Sequence, residues 1–128
     1  MSSTTQKPVR ISDSEWQIMS LIWEQFPITA SDIIGALSQR TGWHPRTIRT
    51  LLDRLVKKGA LRAALSGRRY LYEPLVSMEA CLRQESRSFL DRLFGGEPAL
   101  MLLYLVKESK LTNEEIKELK RLLTRKEK

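Results

Sequence analysis

The chain has 128 residues, 41% of them hydrophobic and 29% charged, with a formal net charge of +7. That size and balance suit one globular domain, or a compact reader with a helical appendage, and exclude a low-complexity or fibrous chain. One cysteine, Cys81, excludes an intrachain disulfide, and the longest apolar run, Ala99 to Val106, is far short of the roughly 20 residues that span a bilayer.

Met1 to Lys7 is rich in Ser and Thr and has no apolar stretch, so residues 1–9 are expected to form a flexible tail and not a signal peptide. A soluble, cytoplasmic protein is expected. Ser12-Asp13-Ser14-Glu15 then reads as a capping box. Trp16, Met19, Ile22, Trp23 and Phe26 recur at three and four, which predicts a helix over 13–25 that Pro27 stops. Thr29 with Asp32 offers a second cap, and Ile33, Ile34 and Leu37 form the inner face of a helix over 30–40. Thr41-Gly42 breaks it.

Pro45 suits the first turn of a third helix, where its missing N–H costs nothing, and Gly59 suits its C-terminal stop. Ile48, Leu51, Leu52, Leu55 and Val56 are expected to point inward. Arg46, Arg49, Thr50, Asp53, Arg54 and Lys57 follow the same spacing on the opposite side. Beyond Gly59, Leu61 to Leu65, the turn Ser66-Gly67 and the run Arg68 to Glu73 read as a two-stranded hairpin ended by Pro74. Three helices and a hairpin in this order predict a winged helix-turn-helix over residues 10–75, with the hairpin as the wing.

The remaining chain, 76–128, reads as three more helices. Ser77 caps one over 78–94, carrying Met78, Leu82, Phe89, Leu93 and Phe94 on one side, and Gly95-Gly96 breaks it. Pro98 opens a short, almost wholly apolar helix, Ala99 to Val106. Thr112 and Glu115 form a capping box for a last helix to about Arg125, with Ile116, Leu119, Leu122 and Leu123 inward. A middle helix apolar all round needs more surface than a lone hairpin of helices offers. A second copy supplies it. Phe89, Leu93, Leu100, Leu103, Tyr104, Ile116, Leu119, Leu122 and Leu123 are therefore the expected dimerisation residues, in a mainly α protein made of a reader and a three-helix dimerisation domain.

The charge is concentrated. Arg40 to Arg69 holds nine basic residues and one acid, a balance of +8, while the rest of the chain sums to −1. Such a field on one element is the footprint of a polyanion binder. Only the major groove admits a helix and distinguishes every base pair. Arg46 and Arg49, in the first half of the third helix, are therefore expected at base edges, with Thr47 and Thr50 beside them. Arg54, Lys57 and Lys58 are assigned to phosphates, and Arg68 and Arg69 at the wing tip to phosphate or the minor groove. Trp16 and Trp23 read as core, Trp43 as a staple for the third helix, and His44 as a cap or phosphate donor. Neither a catalytic constellation nor a metal-ligand spacing occurs, so neither an enzyme nor a cofactor is expected, and Cys81 reads as a structural thiol.

Several segments together resemble the BlaI/MecI penicillinase-repressor family, whose wider circle includes the copper-responsive CopY repressors. They are Ile11-Ser12-Asp13-Ser14-Glu15-Trp16 with Met19 and Ile22-Trp23, then Trp43-His44-Pro45-Arg46-Thr47-Ile48-Arg49-Thr50-Leu51 with Arg54-Leu55 and Lys57-Lys58-Gly59. Tyr70-Leu71-Tyr72 and Leu111-Thr112-Asn113-Glu114-Glu115-Ile116 complete the likeness, which covers residues 10–125. The resemblance implies a homodimeric repressor on a palindromic operator with TACA/TGTA half-sites, recognised through Thr47 and Arg49 with Arg46 alongside. It implies an antibiotic-resistance gene as target and a membrane metalloprotease sensor that releases the repressor by cleavage. The family's Asn-Phe cleavage dipeptide falls here on Leu103-Tyr104, and the copper branch's paired cysteines are absent. Two alternatives stand beside a β-lactam repressor: a metal- or copper-responsive repressor, and a winged-helix protein-interaction module, which would carry apolar or acidic residues on the outer face of the third helix.

Overall fold

The computed structural model describes residues 9–127. The tail expected over 1–9 lies outside them except for Val9, which is half-buried and accepts a hydrogen bond from Gln84 Nε2 at 3.4 Å. The elements run α1 (Asp13–Glu24), β1 (Ile28–Thr29), α2 (Ala30–Thr41), α3 (Pro45–Lys57), β2 (Leu61–Ser66), β3 (Arg69–Pro74), α4 (Met78–Phe94), α5 (Pro98–Glu108) and α6 (Asn113–Lys126). They divide into two compact units, one up to Ser86 and one from Arg87.

In the first unit the capping box closes as the residues dictate. The Glu15 amide donates to Ser12 Oγ at 3.2 Å and the Ser12 amide to Glu15 Oε1 at 2.9 Å. The inner face of α1 is Ile18, Met19, Leu21 and Ile22, all buried. Trp16 and Trp23 meet edge to face at 5.3 Å on the flank of the core, and Trp23 Nε1 donates to the Val76 carbonyl at 3.0 Å. Phe26, expected on that face, lies beyond the helix end and is exposed. Thr29 Oγ1 accepts the Asp32 amide at 3.1 Å and starts α2, which buries Ile33 and Leu37 and ends at Gly42 in the left-handed conformation.

The wing is larger than the two-stranded hairpin expected. β1 adds a third strand, giving the antiparallel order β1-β3-β2 with Ile28 opposite Tyr72 and Thr29 opposite Leu71. Two residues carry no alternation to read, so only pairing with β3 makes them a strand. The turn also moves by one residue: Ser66 pairs with Arg69, leaving Gly67 and Arg68 at the tip.

Ile18, Ile33, Ile48, Leu52, Leu55 and Leu61 meet in the core of this unit, which the first half of α4 extends by burying Cys81. The second unit contains the end of α4, with α5 and α6. Its aromatic residues form a chain, Phe89 to Phe94 at 6.3 Å and Phe94 to Tyr104 at 6.2 Å. Thr112 and Glu115 close a second capping box. None of its described side chains is fully buried.

Candidate nucleic-acid interface

α3 is the element on which the candidate residues converge. His44 caps it, its Nδ1 accepting the Arg46 amide at 3.1 Å, and Pro45 occupies the first turn. Trp43 packs half-buried against the core just before that cap. Ile48, Leu51, Leu52 and Leu55 are buried, which turns Arg46, Thr47, Arg49, Thr50, Asp53, Arg54 and Lys57 outward together. Val56, expected inside, stands at the edge of the apolar stripe and is 36% exposed. Thr50 Oγ1 donates to the Arg46 carbonyl at 3.0 Å, so its methyl group and oxygen lone pairs are what it presents outward.

Lys58 is the exception to the phosphate set. Its ammonium lies 2.7 Å from Glu15 Oε1 and 2.8 Å from the Arg10 carbonyl oxygen. The Glu15 side chain is 1% exposed, so the ion pair ties the end of α3 to the start of α1. The Lys58 side chain stays 32% exposed, but unlike the other cations expected at phosphates it already has a carboxylate partner within the protein. In contrast, Arg46, Arg49, Arg54, Lys57, Arg68 and Arg69 form no ion pair among the described residues.

The wing brings its own groups to the same unit. Arg68 sits in the turn and Arg69 opens β3; with Thr29, Ser31, Asp32 and Tyr70 they border a cleft of about 440 Å³ beside the first turn of α2. Ser31 is exposed in that turn and was not among the residues expected from the sequence. Tyr70 and Tyr72 follow each other on one face of β3, but only Tyr72 is buried. Burial, then the negative charge of Asp53 and the neighbouring Tyr70, push the Tyr72 phenol up. Burial, with Glu85 second, also pushes the Cys81 thiol up, as suits a structural cysteine.

In the second unit Phe89, Leu93, Leu100, Leu103, Tyr104, Ile116, Leu119, Leu122 and Leu123 are each exposed on the single chain. Leu103 and Tyr104 lie inside α5, at 60% and 56% exposure. No helix among the described residues is long and apolar enough to cross a membrane.

The family model described as penicillinase repressor matches residues 11–125. The chain belongs to the penicillinase repressor family. The penicillinase repressor of Bacillus licheniformis is 37% identical over 118 residues, spanning 92% of each chain. The methicillin resistance regulatory protein MecI of Staphylococcus aureus is 32% identical over 120 residues, 94% of this chain and 98% of that one. Among solved structures, the solution structure of the Bacillus licheniformis BlaI monomeric form in complex with the blaP half-operator is 39% identical with a TM-score of 0.53. It covers 58% of this chain and 90% of that one. This member of the family therefore has the winged helix-turn-helix as its fold, with three further helices after the wing.

Proposed function

We propose that this protein blocks transcription by covering a palindromic operator as a homodimer, with α3 in the major groove. One observation carries the reading. Arg46, Arg49, Arg54 and Lys57 form a single outward face, opposite a buried stripe of Ile48, Leu51, Leu52 and Leu55, in which four cations outnumber the one acid, Asp53, and none makes an ion pair among the described residues. Cations left unpaired on one helix face suit a polyanion, and a protein-interaction helix would show apolar or acidic groups there.

In this reading Arg46, Thr47, Arg49 and Thr50 meet base edges, Arg54 and Lys57 meet phosphates, and Arg68 and Arg69 reach the backbone or minor groove from the wing. The complex of BlaI with a half-operator supports the ligand. The reader expected over 10–75 takes in the first half of α4 as well, up to Ser86, and the helices from Arg87 onward make up the dimerisation unit, whose exposed leucines and aromatics a second copy covers. The names of the relatives support a β-lactam resistance gene as target and hence a cytoplasmic site of action. A membrane metalloprotease cutting at Leu103-Tyr104 would first have to unwind the middle of α5.

The test is a binding titration on palindromic DNA with half-sites one helical turn apart, or a multiple of that, between 50 and 200 mM salt. Affinity should fall by about a thousand-fold or more over that range if six phosphates are neutralised. Binding insensitive to salt would sink the proposal and favour a protein partner.

A further inference from the structure

Asp53 is the one acid between Arg40 and Arg69. It stands on the outward face of α3, one turn after Arg49 and one turn before Lys57, and is exposed. Both cations are at the spacing from which helical ion pairs form. Asp53 nevertheless makes none among the described residues. With Val56, Lys57, Ala63, Tyr70 and Tyr72 it borders a cleft of about 360 Å³ between α3 and the wing.

A carboxylate on a DNA-reading face is repelled by every phosphate it approaches, so it weakens binding to all sequences unless a donor meets it. In the major groove the donors are base amino groups, and the carboxylate pairing of that groove is with cytosine N4. Arg49 asks for the reverse polarity, the O6 and N7 acceptors of guanine. One helical turn separates the two residues by about 6 Å, roughly two base-pair steps of 3.4 Å. Adjacent turns of α3 thus present a double donor and an acceptor.

We propose that Asp53 is a specificity-determining residue whose carboxylate accepts a hydrogen bond from the amino group of a cytosine, about two base pairs from the one Arg49 reads. This rests on α3 being the DNA-reading helix. Discrimination works by exclusion as well as attraction, because guanine O6 or thymine O4 at that step would set an acceptor against the carboxylate.

Selection of bound sequences from a random DNA pool tests the assignment, using the full chain and its Asp53→Ala and Asp53→Asn variants. Affinities are then measured for the best site and its single-base substitutions. Asp53 is exposed, so both variants are expected to melt with the parent. The parent should prefer cytosine at one position of each half-site by about ten-fold or more. Asp53→Ala should lose that preference and keep the others. Asp53→Asn should shift it to adenine, whose N6 and N7 an amide can bond together. The proposal is overturned if the parent shows no cytosine preference, or if both variants tighten binding to all sequences by a common factor with base preferences unchanged. A parent that enriches no sequence would instead overturn the DNA-reading role of α3 itself.

Discussion

Glu15 Oε1 accepts hydrogen bonds both from the Ser12 amide at 2.9 Å and from the Lys58 ammonium at 2.7 Å, 43 residues further along the chain. One buried acid thereby caps α1 and holds the end of α3. Burial opposes its ionisation, but Lys58 together with the backbone and hydroxyl of Ser12 outweighs that and keeps the carboxyl below its ordinary value of 4.5.

A carboxyl that is a stronger acid in the folded chain contributes stability that is complete above the unfolded value. That contribution is lost as pH falls through the folded value. Glu15→Gln is expected to lower the unfolding free energy at pH 7 by about 2 kcal/mol, less than for a fully buried pair because water still reaches Lys58. Urea unfolding at pH 7 and pH 3 checks this, and the gap between the two proteins should narrow at the lower pH.

Lys57 and Lys58 are adjacent in sequence and are expected to behave oppositely. Lys57→Ala should weaken DNA binding at every sequence and reduce the salt slope by about one, with stability unchanged within about 0.5 kcal/mol. Lys58→Ala leaves Glu15 without its counter-charge and should cost about 2 kcal/mol of stability. Denaturation and salt titration of both variants separate the two roles.

Arg49→Ala should reduce operator binding by roughly ten-fold or more while random-sequence DNA loses far less, because a guanine fork discriminates and a phosphate contact does not. Competition binding against random-sequence DNA measures both. Equal losses would move Arg49 to the phosphate set.

Leu103→Glu places a charge in the exposed apolar surface of α5 and should yield monomers in sedimentation. Affinity for an isolated half-site should stay at the parent value, whereas affinity for the full operator should fall by about a hundred-fold with the loss of linkage. A dimer that persists would place the interface elsewhere.

The helices were legible because their ends are written in short-range chemistry. Ser12 with Glu15, Thr112 with Glu115, Pro45 and Gly59 each mark a boundary through neighbours within four residues. Long-range relations were not legible. The cap residue Glu15 gave no sign of meeting Lys58, and β1 exists only because Ile28 and Thr29 find Tyr72 and Leu71. Val56 shows the limit of periodicity, since a residue at the margin of an apolar stripe is assigned by where the neighbouring strand lies. The charge run located the candidate face, but only the fold distinguishes Lys58 from the cations beside it.

Thr29 belongs to two elements at once, pairing with Leu71 of the wing through its backbone and starting α2 through its hydroxyl. The wing cannot tilt without carrying the first turn of α2 with it. A reader jointed in this way arrives at its target already shaped, so little freedom is left to be lost when it docks.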